Sequence, residues 1–371
     1  MRLELEDSQL ALQASLREYF AGLVSVAERE EMMLDRHGRA YRAIVRRMGR
    51  DGWLGVGWPV QYGGLGFGQI EQQIFVNEAG RADVPLPAVT LQTVGPTLHE
   101  FGTAEQKEFF LPSILAGELH FAIGYTEPEA GTDLASLRTA AVRDGDVYVV
   151  NGQKTFTTGA HAADYIWLAC RTGPSRHHGI TILIVDTRSP GFSFTPIITS
   201  DGAHHVNATY YSDVRVPVSM RVGEENDGWK LVTTQLNHER VMLGPAGRIA
   251  ALYDRFSAWA STRDDPEIRA ALTECRMALR VNELLNWQVA CSPTLSIADA
   301  SATKVFSSER LQRLGQVLSD VVGHFDPDSE LARWLDIQTK RNLVLTFGGG
   351  VNEIQRELIA TAGLGLPRVP R

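Results

Sequence analysis

The chain has 371 residues, 44% of them hydrophobic, and a formal net charge of -8 at pH 7. That is enough apolar material for two or three domains, and the acidic balance argues against nucleic acid as the main partner. Cys170, Cys275 and Cys291 form no CxxC pair, so neither a disulfide framework nor a zinc site is suggested; with an acidic MRLE start and no apolar run of membrane-spanning length, a soluble, cytoplasmic protein is expected.

Residues 1–118 read as helices. Leu10, Leu12, Leu16, Tyr19 and Phe20 recur at helical spacing, and a second helix is predicted through Tyr41, Ile44, Val45 and Met48. A glycine-rich stretch from Asp51 to Gly66 interrupts the pattern. It neither follows a strand nor fits GxxxxGK(S/T), which disfavours a phosphate cradle and leaves a glycine-rich loop between two helical stretches. The helical pattern resumes at Gln69, and residues 105–117 form the last helix before a β region.

That region opens with a Thr-Glu-Pro turn and a small-residue run, Ala130-Gly131-Thr132-Asp133. The run VYVV at 147–150 reads as a strand, Asn151-Gly152 as a hairpin turn, and residues 154–158 as a second strand. Thr126, Thr132 and Thr158 hydroxyls, glycine-freed amides and the Phe156 ring suit a flat ring system carrying phosphates, although each dipeptide alone is ordinary turn chemistry. Two further strands are predicted at 179–186 and 209–217, the second ending at Pro217. His177, His178, His204 and His205 form two pairs with no other residues at metal-ligand spacing, and they are read as loop histidines.

Helices return after Asn226-Asp227, a good N-cap pair. Trp229, Val232, Leu236, Glu239 and Leu243 fall on one face, which places a carboxylate in an apolar stripe. Burial would raise its pKa and make it a better base toward a weakly acidic carbon. Spacing alone equally supports a structural ion pair with Arg240 or Arg248.

The order TEPxAG(S/T)D, NGxK, aromatic-x-Thr, Ala-Asp resembles the middle domain of the acyl-CoA dehydrogenases, flavoproteins that oxidise acyl-CoA thioesters between Cα and Cβ. The resemblance implies an α+β fold with an N-terminal α-helical domain (1–118), a middle β-barrel domain (119–223) and a C-terminal four-helix bundle (224–371). It implies FAD contacts at Ile123, Tyr125, Thr126, Gly131, Thr132, Phe156 and Thr158, with Phe156 where the family usually has tryptophan. Most members carry a catalytic glutamate in a Tyr-Glu-Gly-Thr-x-x-Ile-Gln-Arg stretch. The matching segment runs from Gly348 to Arg356 and has Gly349 in place of that glutamate, whereas Glu239-Arg240 matches the alternative position used by the isovaleryl-type enzymes. The resemblance therefore implies Glu239 as base, with the Gly349 N–H retained as a donor to the thioester oxygen. Three glycines in a row also leave room for a bulky or α-branched acyl group.

Two flavin motifs of the homotetrameric members are missing. The Arg-x-x-Phe-Gly region reads Asp254-Arg255-Phe256-Ser257-Ala258-Trp259, and the Gln-x-x-Gly-Gly-x-Gly region spans Gln316 to Gly323 without the glycine pattern. This implies a heteromer of α2β2 type in which a related subunit completes the FAD site. The chain is most similar to the larger, glutamate-bearing subunit of the actinobacterial heterotetrameric enzymes that shorten steroid side chains. The implied substrate is a steroid-CoA thioester with a three-carbon side chain, of the pregnene-carboxyl kind, and the implied electron acceptor is an electron-transfer flavoprotein. Three other readings stay open: an isovaleryl-like dehydrogenase of short branched acyl-CoA, a non-catalytic structural subunit, and a DNA-associated offshoot of the family. The last is disfavoured because acidic residues interleave with the C-terminal arginines.

Overall fold

The structure, a computed structural model, describes residues 4–242, 244–292 and 296–368, except the side chains of residues 34 and 237–242. Helices α1 (Asp7–Leu23), α2 (Val26–Leu34), α3 (Arg39–Arg50), α4 (Gln69–Arg81), α5 (Gly95–Phe101) and α6 (Ala104–Leu115) come first. Strands β1 (Phe121–Gly124), β2 (Ala140–Asp144), β3 (Val147–Thr158), β4 (Tyr165–Arg171), β5 (Ile180–Asp186), β6 (Phe192–Ile198), β7 (His204–Pro217) and β8 (Arg221–Val222) follow. The chain then returns to helix in α7 (Gly228–Met242), α8 (Gly247–Ala260), α9 (Pro266–Ala290), α10 (Ile297–Phe325), α11 (Glu330–Asn342) and α12 (Asn352–Leu358). No helix among the described residues is long and apolar enough to cross a membrane.

The chain packs as two compact units, each discontinuous in sequence. One comprises residues 1–24, 67–86 and 239–371; the other comprises 25–66 and 87–238. In the first, α8 to α11 surround a core of Ile249, Leu252, Phe256, Ile268, Cys275, Leu314, Leu318, Val322 and Leu335. The periodicity through Leu16 and Phe20 is the buried stripe of α1, and Phe20 packs on Phe75 of α4. Arg17 of α1 makes two hydrogen bonds to the buried Glu78 of α4, at 3.0 and 2.8 Å, and Arg81 pairs with Asp254 of α8.

The second unit is built on a mixed eight-stranded sheet of order β6-β7-β3-β2-β4-β5-β8, with β1 added in parallel to β4. Its core includes Tyr148, Val150, Ile166, Leu168, Leu183, Val185, Tyr211 and Val214. Helix α3 buries Tyr41, Ile44, Val45 and Met48, the predicted face, and Arg42 ties it to the sheet through Ala162 O and Asp164. The glycine-rich connector is packing chemistry. Trp58 is buried, and a Cβ on Gly95 would come within 2.2 Å of its ring, while one on Gly64 would strike the Trp58 carbonyl.

Three sequence expectations are corrected here. Asn151-Gly152 makes no hairpin: β3 runs unbroken through it, and the reversal occurs earlier, at Gly145 (φ +61°), where β2 and β3 pair antiparallel. Gly152 is needed for a close approach, since a Cβ there would lie 2.6 Å from Thr139 Oγ1. Helix α7 begins at Gly228, directly after the expected pair, with Asp227 at the position before it; Asn226 does not share the cap, its φ being +69° and its side-chain oxygen accepting from Thr172 Oγ1 at 2.8 Å. His204 and His205 are strand residues at the start of β7. His204 stacks on His161 at 3.9 Å, and His205 pairs with Asp201 at 3.0 Å.

His37, beside His161 and His205, is held neutral. Burial, reinforced by the neighbouring histidines, pushes its pKa down to about 3, and burial pushes His120 down to about 4. Groups with depressed native pKa values bind fewer protons folded than unfolded, so below about pH 6.5 each costs stability as the pH falls, up to ~1.4 kcal/mol per pH unit. The acid limb of the stability curve between pH 6 and 4 should accordingly flatten in His37→Gln, measured by denaturant midpoint at each pH; an unchanged limb would remove His37 as a cause.

Candidate functional site

The turn after β1 is closed by reciprocal backbone hydrogen bonds between Glu127 and Ala130, at 3.0 and 3.1 Å. Glu127 points inward, and its carboxylate accepts from the Arg138 N–H at 2.7 Å, the Thr139 N–H at 2.8 Å and the Lys154 ammonium at 2.8 Å. Lys154 is fully buried and also donates to Tyr125 O at 3.0 Å. One backbone bond completes the seam, from Thr155 N to Thr126 O at 2.8 Å. Burial is the largest influence on both charges. It drives the Lys154 ammonium below its ordinary pKa despite the facing carboxylate. In Glu127 burial pushes upward but is outweighed by the Lys154 charge and by hydrogen bonds from Lys154, Thr139 and Arg138, leaving that carboxyl below its usual range.

This seam sets the outer face of β3. The pairing of β3 with β7 slips between Lys154 and Thr157, and Phe156 sits in that irregularity with φ +56°, the residue 63% exposed. A phenylalanine in the left-handed region costs on the order of 1–3 kcal/mol, so the exposed ring is held against both strain and solvation. Thr126 and Ile123 are half-buried, and Gly131, Thr132 and Thr158 are exposed. Tyr125 differs from the rest: its ring is buried, its hydroxyl accepts from Trp167 Nε1 at 3.1 Å and donates to Gln235 Oε1. Any outward contact from Tyr125 belongs to its main chain.

Gln235 also changes the reading of α7. The buried face carries Leu231, Val232 and Gln235, while Trp229 and Leu236 are only half-buried. The predicted stripe is shifted because Tyr125 gives Gln235 a buried partner. Glu239 lies in α7 one turn beyond Gln235, but its side chain, like Leu243, lies outside the described residues.

Gly349 lies in the first unit, between the short turn over residues 343–346 and α12, with φ +67°, followed by Gly350 at φ +92°. Only glycine adopts these angles freely, and no acceptor for the Gly349 N–H occurs among the described residues. Beneath the loop, the fully buried Lys304 of α10 donates to Gly350 O at 2.8 Å and Asn352 Oδ1 at 2.7 Å. Glu127, Lys154, Gln235 and Lys304 all brace candidate site residues. The first two were visible in the sequence as motif letters without a role; the last two carried no local signal.

Helical, sheet and helical segments in this order, with a Thr-Glu-Pro loop locked to an aromatic-x-Thr strand, define a class, and the chain belongs to the acyl-CoA dehydrogenase family, oxidoreductases acting on CH–CH groups. It matches the family's N-terminal domain over residues 6–118, its middle domain over 122–214 and its C-terminal domain over 226–364. It is 67% identical to acyl-CoA dehydrogenase FadE29 of Mycobacterium tuberculosis, covering 100% of both chains. Among solved structures it is similar to a chain of the ChsE4-ChsE5 complex of Mycobacterium tuberculosis (47% identity, TM-score 0.92, 100% of both chains) and to one of the Tcur3481-Tcur3483 steroid acyl-CoA dehydrogenase (47%, TM-score 0.94, 100% of both).

The Glu127–Lys154 pair predicts a measurable asymmetry. Lys154→Met strands a buried carboxylate and should destabilise by roughly 3–5 kcal/mol, whereas adding Glu127→Gln should recover a good part of the loss. Equilibrium denaturation of Lys154→Met, Glu127→Gln and the double variant checks this, and additive losses would show that the two groups do not act as a pair.

Proposed function

We propose that the chain is the base-bearing subunit of a heteromeric, FAD-dependent acyl-CoA dehydrogenase acting on a steroid-CoA thioester with a shortened side chain, of the three-carbon pregnene-carboxyl type. The observation that carries the heteromer is how this chain spends the stretches that homotetrameric members direct at a neighbour's flavin. Asp254 is paired with Arg81, Arg255 lies over Trp334 at 4.4 Å, and Phe256 is fully buried. Residues 316–323 are uninterrupted helix within α10, with Leu318, Val321 and Val322 in the core. A second, related subunit would therefore complete the cofactor site. End-to-end similarity to chains of the ChsE4-ChsE5 complex and of the Tcur3481-Tcur3483 steroid acyl-CoA dehydrogenase supports the same reading.

The residues fit the cofactor on this chain's side. An exposed aromatic at a strained position on the strand whose Thr155 N bonds to Thr126 O, with the exposed Thr132 and Thr158 in the same loop and strand, offers a planar face and hydroxyls to an isoalloxazine. Gly131 and the main chain of Ile123 and Tyr125 would line the same wall. FAD held there would supply the hydride acceptor for Cβ, and an electron-transfer flavoprotein would be the onward acceptor. Glu239 takes the proton from Cα, and the Gly349 N–H holds the thioester oxygen as negative charge develops on it. Gly349 offers that donor without a side chain, leaving room for an α-methyl-branched acyl group.

Flavin absorbance per polypeptide tests the assembly. The chain alone should hold little FAD, and the chain co-expressed with a related subunit should carry one FAD per pair of chains; a full equivalent on the lone chain would end the two-subunit reading. In the complex, Glu239→Gln should retain flavin and lose turnover of a steroid-CoA thioester by ~10²–10⁴-fold. Undiminished turnover would make this the structural subunit.

A further inference from the structure

We propose that Lys304 is the positioning residue that fixes the Gly349 N–H toward the thioester oxygen; the proposal rests on the oxyanion role given to Gly349 above. The Lys304 ammonium, fully buried in α10, reaches 46 residues along the sequence to bond the carbonyl of Gly350 at 2.8 Å, and holds Asn352, the first residue of α12, at 2.7 Å. The loop is thus tied at Gly350, immediately after Gly349, and again at Asn352, two residues further on.

The loop needs such a tie because its sequence provides none. Gly348, Gly349 and Gly350 have no side chains to pack, and glycine gives the unfolded loop more conformations to lose than any other residue. On the entry side the loop is fixed by Gly348 N donating to Val344 O at 2.7 Å. On the exit side the anchor is Lys304, supported by a polar ladder in which Asn352 Nδ2 donates to Ser308 Oγ and Glu309 Oε1, both at 3.1 Å, and Arg356 donates to Glu309 at 2.6 Å. The Gln355 amide, itself held by Ser301 at 2.8 Å, closes the space under Gly350: a Cβ on that glycine would lie 2.7 Å from Gln355 Nε2. Taking a lysine wholly out of water is costly, and a donor kept buried against a backbone carbonyl fixes geometry in return. An oxyanion donor acts only if its direction is set before charge develops, so an untethered triple glycine would forfeit most of its effect.

The test uses the assembled complex with FAD bound, comparing Lys304→Met, which keeps the length and apolar stem, with Lys304→Arg, which restores a charged donor. Three quantities are read: hydrogen exchange of the peptide covering residues 347–352, turnover of a steroid-CoA thioester, and the pH at which bound acetoacetyl-CoA enolises, followed by its ultraviolet absorbance. Lys304→Met should quicken exchange in that peptide, lower kcat by about 10²-fold with KM changed less than about threefold, and raise the enolisation pKa by about two units, flavin content staying level. Lys304→Arg should recover part of each. Unchanged exchange in Lys304→Met would overturn the positioning role itself. Faster exchange with unchanged kcat and enolisation would overturn it differently, by removing the oxyanion role of Gly349 on which it rests. If Lys304→Met fails to assemble, Lys304→Arg and Lys304→Gln are read by the same three criteria.

Discussion

A buried charge pair, Glu127 with Lys154, is the constraint from which the rest of the candidate flavin wall follows. Its worth lies in direction more than in energy, because desolvating both ions consumes much of their attraction. Glu127 spends its remaining acceptor capacity on two backbone amides across the sheet entrance, and Lys154 spends a second donor on the Tyr125 carbonyl. The loop and the strand are thereby held in a single register. This gives a physical reason for the Thr-Glu-Pro and Asn-Gly-x-Lys letters to occur together in one chain: the carboxylate of the first is the counter-ion of the second.

Much of this was legible from residue order. The apolar spacing of α3, the continuous β-branched run of β5 and the alternation ending at Pro217 in β7 are local patterns, and local patterns survive folding when a single face is buried. What was not legible depended on partners distant in sequence. Asn151-Gly152 has strong hairpin chemistry, but pairing with β7 carries the strand through it, and the Asp-Gly at 144–145 takes the turn instead. Gln235 reads as a polar residue for the wet face of α7, and only Tyr125, 110 positions earlier, makes its burial possible. Lys304 lies in an amphipathic helix where a lysine normally reads as surface, and nothing nearby announces that a glycine loop far along the chain needs its ammonium.

The internal use of residues 254–259 and 316–323 bears on how a two-subunit enzyme could arise from a one-subunit ancestor. Once one copy is relieved of completing its neighbour's cofactor site, its positions there are released to pack its own interior. In this chain the same positions form an ion pair, a cation–π stack and core leucine and valine contacts.

The exposed Phe156 stands where a strand irregularity holds its backbone at φ +56°. A backbone already fixed by folding leaves less ordering cost for a planar guest to meet. A larger aromatic at the same position would inherit that backbone unaltered, whereas a change that relaxed the φ angle would turn even an identical ring away.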